Sequence, residues 1–123
     1  MQIRLASSTD LEPLSKLFNQ YRQSLGQAAD YTGCYVFLKN RLVENDSMIF
    51  VSIKEGVMVG FIQLYPSFSS LLLTPVWYFE DAFVVDGYQD QNIADSMYHK
   101  AKLLAESTGV LLLNRNDSIL SPD

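Results

Sequence analysis

Apolar residues first gather at helical spacing. Leu11, Leu14, Leu17, Phe18, Tyr21 and Leu25 fall on one face of a predicted helix. Thr9 and Glu12 bracket its start as a capping box, Pro13 sits in the first turn where a missing N–H costs little, and Gly26 ends it. Ile3 to Ala6 before it reads as a short strand. A second helix is predicted from Tyr31 to Glu44, with Tyr35, Leu38 and Leu42 on one face and Asn45-Asp46 as its stop. The period then changes to that of strands. Met48 to Ile53 and Val57 to Tyr65 form a hairpin about the turn Lys54-Glu55-Gly56. Pro66 to Ser70 reads as a loop, followed by apolar residues through Leu73. A long aromatic-rich strand runs from Val76 to Val85 after Pro75, and Asp86-Gly87 breaks it. A third helix follows from Ile93 to Glu106, with Ile93, Met97, Ala101 and Leu104 on its buried face. Gly109 closes it, and Val110 to Leu113 is a last strand. The order β-α-α-β-β-β-α-β predicts an α/β fold with a mixed sheet. Residues 1–123 read as a single domain ending in a polar tail, 114–123.

Composition narrows the function classes. The formal charge of −5 argues against nucleic acid as the main partner, because neutralising phosphates needs a basic surface, and it is compatible with a cationic substrate. No apolar run reaches the length of a membrane span, and the first residues lack a signal peptide's basic start and apolar stretch, so a cytoplasmic location is expected. Cys34 is the only cysteine and His99 the only histidine, far apart in sequence. Cys34 is therefore read as buried and inert, His99 as a solvated helix residue, and no metal site is expected.

The stretch from Tyr78 to Ala94, Tyr-Phe-Glu-Asp-Ala-Phe-Val-Val-Asp-Gly-Tyr-Gln-Asp-Gln-Asn-Ile-Ala, resembles the core motif of the acetyl-CoA-dependent N-acetyltransferase (GNAT) superfamily. Ile3-Arg4-Leu5-Ala6 with Thr9-Asp10-Leu11 is similar to the family's first strand and helix, and Val59-Gly60-Phe61 to its third strand. The resemblance implies a mixed, mostly antiparallel sheet flanked by helices. It also implies transfer of an acetyl group from acetyl-CoA, as co-substrate, to a primary amine of a small molecule. Phe83, Val84 and Val85 would then offer backbone groups to the pantetheine arm. Gln89, Asp90, Gln91, Asn92, Ile93 and Ala94 would form the pyrophosphate loop at a helix N-terminus, where unpaired N–H groups and the dipole favour an anion.

The loop departs from the family's pattern. Asn92 and Asp90 stand where the family has glycines, while Gln89 and Ala94 are accepted variants. Asparagine is the best non-glycine for positive φ, whereas Asp90 brings a like charge to a pyrophosphate. Alternatively, Asn92 and Asp95 form an ordinary helix cap and occupy the donors themselves. The family's usual last helix and two strands have no counterpart after Leu113, and no tyrosine follows Tyr98 to serve as the usual general acid. An unpaired Val110–Leu113 edge would recruit a second copy, giving a homodimer.

The candidate general base is Glu80 or Asp81, the resemblance leaning to Glu80. Adjacent strand residues point to opposite faces, so one of the two is expected in the cleft. A backbone N–H at Phe83 would stabilise the oxyanion. Tyr65, Phe68, Trp77 and Tyr78 are candidates for an acceptor pocket, although aromatic strand residues are more often core. Three readings stay open: an N-acetyltransferase, a catalytically impaired GNAT-like binding or dimerisation domain, and a decayed fragment that still folds.

Overall fold

A computed structural model of the chain describes residues 1–89 and 91–114, Asn114 by its backbone alone. The expected tail beyond Asn114 lies outside them. Strands β1 (Gln2–Leu5), β2 (Met48–Lys54), β3 (Val57–Ser69), β4 (Thr74–Val84) and β5 (Leu111–Asn114) form one sheet in chain order. Every neighbouring pair is antiparallel except β4 and β5, which run parallel across the α3 crossover (Ile93–Ser107). Helices α1 (Leu11–Ser24) and α2 (Tyr31–Glu44) cover one face and α3 the other.

Each face has its own core. Leu14, Leu17, Phe18, Cys34 and Leu38 pack onto Ile49, Val51 and Phe61 beneath α1 and α2. Met97, Ala101 and Ala105 of α3 pack with Phe50, Ile62, Leu64, Trp77 and Val84. Cys34 is buried, as expected of an inert thiol, and His99 is exposed. Two predicted face residues do not join these cores. Leu25 stands 64 % exposed because α1 has already ended beneath it, and Tyr35 turns outward while Cys34 and Leu38 take the inward positions of α2.

The start of α1 is also shifted from the predicted box. A single 3-10 turn, Ser8–Asp10, precedes the helix, and Asp10 rather than Glu12 reaches back, accepting the Ser7 N–H at 2.7 Å. Asp10 also takes a two-pronged bond from Arg4 at 2.7 and 2.8 Å, which ties β1 to the helix start and favours ionised Asp10 over the buried neutral acid.

The expected loop at Pro66 is strand instead. β2 ends its pairing at Leu64, so β3 beyond that point has a partner only in β4, and a proline there forfeits no ladder bond on the free side. The connection is the tight turn after Ser69, where Ser69 Oγ accepts the Leu72 N–H at 3.1 Å and Leu73 adopts φ 57°.

Gly60 lies beneath α3 with no room for a side chain. A Cβ there would lie 2.8 Å from Ser52 Oγ, 3.0 Å from the Phe83 carbonyl oxygen and 3.1 Å from Met97 Cε. Ser52 and Met97 can move, but the β4 carbonyl is held in the ladder. Gly60→Ala is therefore expected to cost about 1–3 kcal/mol through overpacking. Thermal unfolding should show this as a melting point several degrees lower, at about 4 °C per kcal/mol.

Candidate functional site

The site begins with a register change. Gln63 pairs with Asp81 and Leu64 with Phe79, so Glu80 is an extra residue in β4 with no opposite number. On the α3 side of the bulge lie Trp77, Phe79, Ala82 and Val84, all packed in the α3 core. Counting by twos from Trp77 and back from Val84 leaves Glu80 and Asp81 together on the α1–α2 face. The bulge suspends strand alternation where the two carboxylates sit, so alternation does not separate them; of the two, Asp81 lines the cavity.

Asp81 lies at a cavity of about 370 Å³ between α1, α2 and the sheet. Phe18, Tyr21 and Arg22 line it from α1, Cys34 and Phe37 from α2, and Gln63 and Tyr65 from β3. Tyr21 donates its hydroxyl proton to Asp81 Oδ1 at 2.7 Å and Tyr65 donates to Oδ2 at 2.9 Å. α1 and β3 thus hold one carboxylate of β4 by both oxygens. Burial first, and then the bond to Asp81, push both phenols well above the ordinary tyrosine range, and the charge of Glu80 adds to this at each. Glu80 itself is exposed.

Of the four aromatic candidates, the structure brings Tyr65 to the cavity. Trp77 is buried in the α3 core on the opposite face, and Phe68 stands 81 % exposed near the β3–β4 turn. Tyr78 pairs with Tyr65 across the ladder and does not line the cavity. Tyr21 was legible only as a helix-face core residue, but a tyrosine on a buried face needs a partner for its hydroxyl, and Asp81 is that partner. Arg22, Gly33 and Phe37 carried no signal in the sequence that separates them from ordinary helix residues.

The second candidate stretch lies at the end of β4. Over the described residues its pairing with β5 runs from Val76–Leu111 to Phe79–Asn114. The Val85 N–H bonds to the Val59 carbonyl at 2.9 Å, which by alternation turns the backbone groups of Phe83 toward β3 and those of Val84 outward. The outward donor is therefore at Val84 rather than at Phe83, the position expected for an oxyanion contact. The Val84 carbonyl accepts Gln89 Nε2 at 3.0 Å. Phe83, Val85, Asp86 and Gln89 face Gln20, Gln23 and Ser24 of α1 across an open concavity of about 750 Å³.

No protein-family model matches the chain. It is 36 % identical over 113 residues to the uncharacterized N-acetyltransferase YhfO of Bacillus subtilis (strain 168), covering 92 % of this chain and 76 % of that protein. It is 37 % identical over 103 residues to a probable acetyltransferase of Haemophilus influenzae, covering 83 % of this chain and 70 % of the other. A crystal structure of a probable acetyltransferase superposes with a TM-score of 0.85 at 32 % identity, over 98 % of this chain and 83 % of its own. The chain belongs to the GNAT superfamily of acetyltransferases.

The GNAT loop residues are placed as follows. Asn92 caps α3 with φ 57°, the left-handed region that glycine usually fills, and its side chain makes no capping bond. The alternative in which Asn92 and Asp95 close an ordinary capping box is thereby corrected: a left-handed cap residue does not aim its side chain at its own helix donors. Gln91 accepts a bond from Lys54 Nζ, Ile93 is buried in the α3 core, and Ala94 is exposed. Asp90 lies outside the described residues.

The paired phenols give a direct test. Their folded pKa values lie above the unfolded value of about 10. Stability from this cluster is therefore complete below pH 10 and is lost as pH rises beyond it, where the unfolded chain releases those protons first. Ultraviolet difference titration should show two tyrosines ionising late, well above the ordinary tyrosine range. Tyr65→Phe should remove one of the late pair.

Proposed function

We propose that this GNAT chain is an N-acetyltransferase that moves an acetyl group from acetyl-CoA to a primary amine of a small molecule. The observation that carries the reading is the carboxylate pair Glu80–Asp81 on the cavity-bearing face of β4. The cavity volume of about 370 Å³ is at the small end of the range for ligand sites, which favours a small acceptor.

The residues present fit acetyl-CoA. The outward Val84 groups suit the pantetheine amides, the left-handed Asn92 leaves the first donors of α3 without side-chain caps, and the concavity between α1 and the β4 end gives the arm room. Phe83 and Val85 wall that concavity together with Gln89. When bound, the thioester supplies an acyl carbon whose bond to sulfur breaks, with its electron pair on sulfur, as the amine nitrogen bonds to it. Asp81 takes the ammonium proton, directly or through one water, and Glu80 adds negative charge that draws the ammonium in. Tyr21 and Tyr65 hold the carboxylate oriented. The second proton that the nitrogen sheds as the amide forms passes through solvent to the departing thiolate.

The chain functions in the cytoplasm on this reading. No helix among the described residues is long and apolar enough to cross a membrane. The far edge of β5, with Leu111 41 % exposed, suits a second copy, which sedimentation at micromolar concentration would detect.

The bond from Gln89 to the Val84 carbonyl favours a second reading, an impaired binding or dimerisation domain, because it occupies a group the arm would use. Calorimetric titration with acetyl-CoA and CoA separates the two. Micromolar binding is expected, and its absence at millimolar ligand sinks the enzyme reading. In an active preparation Asp81→Asn should lower kcat/KM about 100- to 10,000-fold, with Glu80→Gln losing less.

A further inference from the structure

The charges around the cavity are not uniform. Its inner part carries Asp81, with Glu80 close enough to act on both phenols. Its α1–α2 rim carries Arg22, Asp30 and Gly33. Asp30 is engaged: it caps α2, with Oδ1 accepting the Gly33 N–H at 2.9 Å, and its negative charge sits against the positive end of that helix. Arg22 is not similarly engaged. Among the described residues it has no ion-pair partner, and its guanidinium makes one bond, from Nη1 to the Ala28 carbonyl at 3.1 Å. A guanidinium offers five donors in a flat fork that matches a carboxylate. Between the two ends, Phe18, Cys34 and Phe37 make an apolar wall.

We propose, resting on the acetyltransferase reading above, that the acceptor is a primary amine that also carries a carboxylate, an amino-acid-like zwitterion. Its ammonium lies toward Asp81 and its carboxylate on Arg22. A diamine is the rival occupant, because Asp30 offers a second carboxylate. The engaged state of Asp30 and the unpaired state of Arg22 weigh against it. Arg22 acts here as a specificity residue: it binds the acceptor's distal group and takes no part in the transfer itself.

The test uses matched ligands on the intact chain: L-phenylalanine with phenethylamine, and 6-aminohexanoate with hexylamine and 1,6-diaminohexane. Binding is read by calorimetry and transfer by thiol release from acetyl-CoA. At least one carboxylate-bearing ligand should bind 10-fold or more tightly than its partner, and Arg22→Gln should erase that preference. Asp30→Asn keeps the helix cap, since asparagine caps as well as aspartate, and should leave carboxylate binding equal or tighter. Equal binding of amine and carboxylate partners, tighter binding of the diamine with loss in Asp30→Asn, or no binding by any ligand would each overturn the inference. Transfer to amines without a carboxylate preference sinks the inference and spares the activity. Carboxylate-selective binding without transfer does the reverse.

Discussion

The single inserted residue in β4 governs what the rest of the site can be. If β4 alternated strictly through Glu80 with no bulge, Asp81 would share a face with Phe79 and Trp77 and point into the α3 core, where an ionised carboxylate would have cost several kcal/mol unless paired. With it, the strand resets its parity after Phe79, and the carboxylate comes up under α1 within reach of a tyrosine from α1 and another from β3. The aromatic packing then follows. Phe18 stacks on Phe61 at 4.2 Å between centroids, and Tyr21 meets Phe61 edge-on at 5.5 Å, which fixes the ring whose hydroxyl holds Asp81.

A second irregularity, between β2 and β3, does comparable work for the opposite layer. Ser52 pairs with Gly60 and Ile53 with Met58, so Val59 is extra in β3 and joins the α3 core beside Gly60. There Met97 of α3 leaves no room for a side chain on Gly60. The two bulges bracket the same stretch of β3 and aim one layer at packing and the other at a cavity.

Much of the fold was legible because its signals are local. The periodicity from Leu11 to Tyr21, the stop at Asn45 (φ 53°) and the tight Glu55-Gly56 turn all depend on neighbours within a few residues. What escaped depends on distant partners. Pro66 reads as a loop residue until the outermost β2–β3 pair, Met48 with Leu64, shows that one side of β3 is free beyond it. Asp10 was hidden as the helix-start acid because its partner Arg4 lies in a strand. The site was half legible for the same reason. The motif from Tyr78 to Ala94 picked out both carboxylates, but a bulge leaves no mark in a strand's own sequence. Trp77 was an acceptor candidate on chemistry alone, and the parity that sends it to the other face is set by pairing with β3.

The position of Trp77 carries a consequence for spectroscopy. It is the only tryptophan in the chain, and it is buried beneath α3 on the face of the sheet away from the cavity. Its emission is thus a reporter of the α3 layer and of whatever approaches the end of that helix. A small molecule filling the space between α1 and α2 is screened from the indole by the thickness of the sheet. A silent fluorescence trace would describe where the chromophore stands and carry no information on whether the cavity is occupied.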